Sequence, residues 1–144
     1  SEIEACTDGY RAELEQLDRD ITAVLASIPG DRRVLVTNHD SLAYFADRYD
    51  LTVIGTVIPS MSTVAETDAA ALAELTAIID EHDVPAIFSG ELESSADAEA
   101  LAGRLGVAIV PIPTDSLTTG GDASTYVDLM RSNATTIAAA LSAP

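Results

Sequence analysis

The fold class is decided within residues 34–57, which read VLVTNHDSLAYFADRYDLTVIGTV. An apolar run at 34–36 is followed by a segment of helical character from 42 to 49 and by a second apolar run at 52–57. Parallel strands need a crossover connection between them, and that connection is usually a helix. The stretch therefore predicts a strand, a helix and a second strand parallel to the first.

The same alternation continues to the end of the chain. Apolar runs at 86–88 and 107–110 predict a third and a fourth strand, and helical spacing predicts helices over about 67–82, up to Leu105 and over the last segment from Tyr126 to Leu141. Regular alternation of strands and helices is typical of a sheet covered on both sides. We predict an α/β fold with a four-stranded parallel sheet flanked by helices on both faces.

A long amphipathic helix is predicted before this alternation begins. Apolar residues recur at steps of three and four from Ile3 to Ile28, and the Pro29-Gly30 pair marks the end. Such a helix would reach about 39 Å, which is long enough for a strut between two lobes. We divide the chain into a strut helix, 1–30, and an α/β lobe, 31–144. Cys6, the only cysteine, lies on the apolar side, so we predict a buried thiol.

The charge of the chain limits its partners. Acidic residues number 24 against seven basic ones, all of them arginine, which gives a formal net charge of −17. Nucleic acids and anionic lipids bind through cationic surfaces, so we expect no nucleic-acid partner. No stretch approaches the length of apolar sequence that predicts a membrane-spanning helix, and the first residues do not read as a signal peptide.

Candidate ligand-binding residues follow the predicted strands. Ligands of open α/β sheets bind at the carboxyl ends of the strands. His39 follows the first strand and Asp115 follows the fourth, while Asp40 and Glu91 are weaker candidates at the same edge. Imidazole and carboxylate together suit zinc, manganese or iron better than calcium.

Each of these residues also has a structural interpretation. A histidine at a strand end can be a hydrogen-bonded structural residue, and Asp115 can cap a turn through nearby amides. His82, the only other histidine, is most simply a solvated residue at a helix end. Two histidines cannot build a histidine-rich site by themselves.

The order of four segments strengthens the metal interpretation. TNHDSLAYFADRY at 37–49 is followed by STVAE at 62–66, by PAIF at 85–88 and by TDSL at 114–117, which leads on to Asn133. This order resembles the solute-binding proteins of zinc and manganese ABC transporters, specifically their carboxy-terminal lobe. Where many relatives place a glutamate two residues after the phenylalanine of the third strand, this chain has Gly90, with Glu91 one step later.

The resemblance implies a function and a division of the metal site. His39 and Asp115 would be metal ligands, and the other two, usually histidines, would come from an amino-terminal lobe that also covers the early turns of the strut helix. The cargo would be Zn²⁺, with Mn²⁺ as the alternative, and histidine at position 39 instead of glutamate favours zinc. The partners would be an ABC permease, a divalent metal ion and the amino-terminal lobe, in an extracytoplasmic location that is periplasmic or lipid-anchored.

Two other classes of protein stay open. A mononuclear metallohydrolase could combine His39, Asp115 and Asp40, although the chain has no Gly-x-Ser-x-Gly elbow and no phosphate-binding Gly-x-x-x-x-Gly-Lys loop. A stand-alone α/β small-molecule module is the second, although the Gly-x-Gly-x-x-Gly turn of dinucleotide-binding domains does not occur. We expect a binding protein and no enzyme activity.

Overall fold

Four parallel strands form the central sheet of the computed structural model, which describes residues 1–58, 69–90 and 96–143. The strands are β1 (Val34–Thr37), β2 (Thr52–Thr56), β3 (Ala86–Ser89) and β4 (Ala108–Pro111). They lie in the order β2-β1-β3-β4, and every neighbouring pair is parallel. The predicted four-stranded parallel sheet is confirmed, and each predicted strand end lies within one residue of the observed end.

Helices cover both faces of this sheet, as predicted. They are α1 (Glu2–Leu25), α2 (Ala43–Arg48), α3 (Ala69–Glu81), α4 (Ala96–Leu105) and α5 (Tyr126–Ser142). Leu35 and Phe88 point toward α1, α2 and α5, whereas their neighbours Val36 and Ile87 point toward α3 and α4. Because both faces are buried, the strands are apolar at consecutive positions instead of alternating with polar residues. No helix of the described ranges is both long and apolar enough to cross a membrane.

The long first helix is confirmed, but it ends earlier than predicted. The sequence predicts a helix up to Ile28, whereas α1 ends at Leu25. Proline disfavours helical geometry in the residue before it, here Ile28. The chain instead leaves the helix through tighter turns, in which the Ser27 and Ile28 amides donate to the carbonyls of Val24 and Leu25 three residues earlier.

The amino-terminal half of α1 is exposed. Leu17, Ile21 and Leu25 are buried in the core that also contains Leu35 and Phe88 of the sheet. By contrast, every residue from 1 to 13 is exposed, and Ile3 keeps 79% of its surface accessible. This is the incomplete packing expected of the early turns. The prediction that Cys6 is buried is wrong, because the apolar stripe continues beyond the point where α1 packs on the rest of the described chain.

Arg33 joins the ends of two helices to the start of the sheet. Its guanidinium donates to the carbonyl oxygens of Leu25 at 2.8 Å, Tyr49 at 2.6 Å and Asp50 at 2.8 Å. Leu25 ends α1, and Tyr49 and Asp50 follow α2, so the cation sits where helix dipoles are negative. The planar guanidinium thus donates to all three carbonyls at once, at helix ends where backbone acceptors lack the amide donor of a following turn.

A second contact fixes α2 against α1. Asp18 of α1 accepts hydrogen bonds from the Arg48 guanidinium and, at 3.1 Å, from the Tyr49 hydroxyl. Burial and this bond to a carboxylate raise the pKa of Tyr49 to about 12. The neutral phenol is therefore the form that stabilises the folded chain.

We expect the free energy of unfolding to fall as pH rises from about 10 to about 12, through the ordinary tyrosine pKa toward the value in the folded chain. The contribution is fully present below that window, because the phenol is then neutral in both states. Urea unfolding at about pH 9 and about pH 11.5 measures it, and Tyr49→Phe should flatten this component of the pH dependence. Tyr44→Phe is the control, since Tyr44 is 90% exposed; an unchanged slope in Tyr49→Phe would contradict the assignment.

Candidate metal centre

Three consecutive buried polar residues lie at the carboxyl end of β1: Thr37, the last residue of the strand, and Asn38 and His39, which follow it. The Asn38 amide donates to the Phe88 carbonyl at 2.8 Å, and its own carbonyl accepts from the Ile58 amide at 2.8 Å. Beyond it, the Ser41 amide donates to the His39 carbonyl at 2.9 Å. The backbone is thus held on both sides of His39. Burial of polar side chains at the centre of a sheet edge is costly unless they make specific contacts, which marks this edge as a candidate site.

The loop after β4 is anchored at two points before it reaches Asp115. The Ile112 amide donates to the Ser89 carbonyl at 2.8 Å, which continues the pairing with β3. The Asn133 side-chain amide, from α5, donates to the Pro113 carbonyl at 2.7 Å. These two bonds bring the segment back toward the end of β1.

The two predicted ligands come together at this edge. His39 Nε2 lies 4.0 Å from Asp115 Oδ2, although their strands are separated by β3. The imidazole is 7% exposed and the carboxylate 65% exposed, so the pair has one fixed member and one solvent-facing member. The separation is too long for a hydrogen bond.

The separation is close to what a shared metal ion requires. Two ligand atoms on one tetrahedral zinc, each bonded at about 2.0–2.1 Å, stand about 3.3 Å apart. The carboxylate would need to approach the imidazole by roughly 0.7 Å to reach that geometry. Because the Asp115 side chain is exposed, a small rotation achieves this without moving the core. The pair can therefore donate one nitrogen and one oxygen to a single cation.

The other candidate ligands are placed differently. His82 follows α3, shortly before β3 begins, and is exposed at the edge of the sheet opposite to His39. Within residues 1–58, 69–90 and 96–143, no group of three or more His, Cys, Asp or Glu side chains is arranged to hold a metal, so Asp40 does not complete a three-ligand set there. Glu91 and the segment 62–66 lie outside the described residues.

Asn133 also belongs to the site, although the sequence motif that ends in it gives it no role. The sequence places it at the end of the fourth segment, but its contact with Pro113 spans 20 residues and is visible only in the fold. The available signal is its position: a polar residue among the buried residues of α5, next to Ala134 and one turn before Ile137. Such a residue indicates a specific hydrogen bond.

Comparison with known proteins gives a consistent result. A family model described as "Zinc-uptake complex component A periplasmic" matches residues 1–140. The zinc-binding protein TroA of Treponema pallidum is 33% identical over 139 residues, covering 92% of this chain and 44% of that protein. The manganese-binding lipoprotein MntA of Halalkalibacterium halodurans is 26% identical over 140 residues, covering 96% of this chain and 46% of that protein.

Solved structures agree with the sequence matches. The periplasmic zinc-binding protein TroA of Treponema pallidum superimposes with a TM-score of 0.85 at 33% identity, over 94% of this chain and 51% of that one. A crystal structure of ZnuA gives a TM-score of 0.80 at 25% identity, over 95% of this chain and 49% of that one. The chain spans about half the length of these relatives.

Proposed function

Because the chain belongs to the family of the periplasmic zinc-uptake component A, we propose that it binds a divalent transition metal as cargo for an ABC importer. The observation that carries the proposal is the approach of His39 Nε2 and Asp115 Oδ2 to 4.0 Å at the carboxyl edge of the sheet. Both side chains are ligand types for zinc, and their atoms stand close to the separation that one ion imposes. His39 and Asp115 are the two ligands supplied by this chain.

Zinc is the first choice of cargo and manganese the second. A borderline imidazole nitrogen favours zinc, and at a given site of nitrogen and oxygen ligands manganese is the most weakly held of the common divalent transition metals. The similar proteins include one named for zinc and one named for manganese, so the family accommodates both. The histidine at position 39 supports zinc in this chain.

Residues 31–144 form one lobe of a two-lobed receptor, and residues 1–30 form the strut that joins it to the other lobe. Two observations support this division: the chain spans about half the length of its relatives, and the first 13 residues of the described chain are exposed on an amphipathic helix. The buried imidazole and exposed carboxylate open the site outward, where further ligands from the second lobe would approach. The receptor would work outside the cytoplasm, with an ABC permease as its partner.

A transport role accounts for the pair better than catalysis does. The family consists of metal-binding transport proteins. A catalytic zinc site holds its ion with three protein ligands and keeps a general base beside the open position, whereas a carrier must hold its ion and then release it. Ligands divided between two lobes meet that need, because separation of the lobes weakens the whole set at once.

Titration calorimetry of the wild-type chain with zinc, manganese and magnesium tests the proposal. We expect one specific and weak zinc site, still weaker manganese binding and no specific magnesium binding, since only two ligands are provided. The acidic surface will bind cations non-specifically, so zinc is titrated in an excess of magnesium, which occupies that surface. If excess magnesium prevented zinc from binding, the site would not select a transition metal and the proposal would be contradicted. Zinc-dependent hydrolysis of model esters would contradict it as well.

A further inference from the structure

We infer that Asn133 is the positioning residue for Asp115, an inference that rests on the proposed metal site. Asn133 is 4% exposed and lies in α5 among the apolar residues that pack on the sheet. Its side-chain amide donates to the Pro113 carbonyl at 2.7 Å, two residues before the ligand. A buried amide in an apolar helix face costs free energy unless it makes such a bond.

The loop before Asp115 has few other means of attachment. Pro111 and Pro113 carry no amide hydrogen, so the backbone from 111 to 113 has only the Ile112 amide as a donor, and that amide is committed to Ser89. Among the hydrogen bonds that join residues 111–115 to other segments of the described chain, the one accepted by the Pro113 carbonyl lies nearest to Asp115. Asn133 binds that carbonyl.

The helix that carries Asn133 is itself held in place. Arg131, two residues earlier, donates to Asp20 of α1 at 3.2 Å. Ala134 and Ile137, on either side of the following turn, are buried in the same core as Leu17 and Ile21 of α1. A ligand is best oriented by a supporting residue on a rigid element, and α5 packed along α1 is such an element.

The corner around Asn133 has hydrogen-bonding capacity left over. Asn133 Oδ1 and Thr114 Oγ1 are both buried, and neither has a hydrogen-bond partner within the described ranges. One atom is an acceptor and the other can donate. The bond of Asn133 to Pro113, the residue next to Thr114, brings the two side chains into the same corner of the fold. Asn133 thus holds the loop through the Pro113 carbonyl and keeps an acceptor for a second bond from it.

The test compares zinc affinity and the absorption spectrum of the Co²⁺ complex in variants of the whole chain. Asn133→Ala should weaken zinc binding about 10–100-fold, the usual loss when a partner behind a metal ligand is removed, and should change the Co²⁺ spectrum. Asn133→Asp should do the same without leaving a cavity, because a carboxylate cannot donate to the Pro113 carbonyl. Far-UV circular dichroism confirms that each variant is folded at the assay temperature.

The matched control is Leu141→Ala, which removes a fully buried side chain from the same helix two turns beyond Asn133. It should lower the melting temperature yet leave zinc affinity and the Co²⁺ spectrum unchanged. Zinc binding that depends on His39 but is untouched in both Asn133 variants would overturn this inference alone. A wild-type chain with no specific zinc site would overturn the proposed function and this inference with it.

Discussion

Replacing His39 by alanine is expected to abolish specific zinc binding. The loss of affinity should exceed about 100-fold, because removing a residue that only hydrogen-bonds a metal ligand already costs about 10–100-fold. His39 provides the only nitrogen of the proposed pair, and its ring is held in a buried position at the end of β1. Alanine leaves one carboxylate, which binds zinc no better than the other surface acids. Titration calorimetry in excess magnesium measures the change.

Asp115→Ala should have an effect of the same kind, because the pair donates to one ion. Two substitutions serve as matched controls: His82→Ala removes the other histidine, and Asp47→Ala removes an exposed carboxylate from α2. Both should leave the specific signal intact. If His82→Ala abolishes binding while His39→Ala preserves it, the metal site lies elsewhere.

Arg33→Ala is expected to lower the free energy of unfolding by about 2–4 kcal/mol, since a hydrogen bond to a charged group is worth about 1.5–3 kcal/mol and exposed carbonyls recover part of the loss from water. Arg33 binds the carbonyls of Leu25, the last residue of α1, and of Tyr49 and Asp50, which directly follow α2. Urea unfolding followed by circular dichroism gives the difference from the shift of the midpoint.

Arg33→Lys should restore only part of this stability, because one ammonium cannot reproduce the planar fork. The control is Arg104→Ala, in which an exposed guanidinium loses a single 2.9 Å bond to the Thr76 hydroxyl; its effect should stay below about 1 kcal/mol. Equal effects of Arg33→Ala and Arg104→Ala would show that Arg33 does not hold the two helices.

The sequence predicts the sheet well because local pattern and burial agree there. β3, for example, is apolar at its first three positions and buried at all four, and a parallel sheet covered on both faces favours such a run. Because binding residues of open α/β sheets lie at the carboxyl ends of the strands, the sequence also predicts that His39 and Asp115 lie at the same edge. Their side chains do approach each other there. The 4.0 Å separation and the unequal exposure of the two side chains depend on how β3 spaces their strands. A local sequence pattern carries no information on that spacing.

Errors arise where a pattern leaves the packing partner unspecified. An amphipathic stripe runs through Cys6 as it does through Leu17, but only the later turns of α1 pack into the core beside α5, so Cys6 is exposed. Asn133 is conspicuous as a polar residue in an apolar face, yet its partner, Pro113, is fixed by the return of α5 past the end of β4. Hydrogen bonds between distant segments of this kind follow from the fold and not from the spacing of residues.

The most direct test of the metal site is the nitrogen-15 spectrum of the histidine rings during a zinc titration in excess magnesium. The chain has two histidines, so the spectrum reports two rings, one at each edge of the sheet. The proposed site predicts that the signals of His39 change first and those of His82 stay in place until non-specific binding begins. A titration in which His82 responds while His39 does not would contradict a metal site between His39 and Asp115.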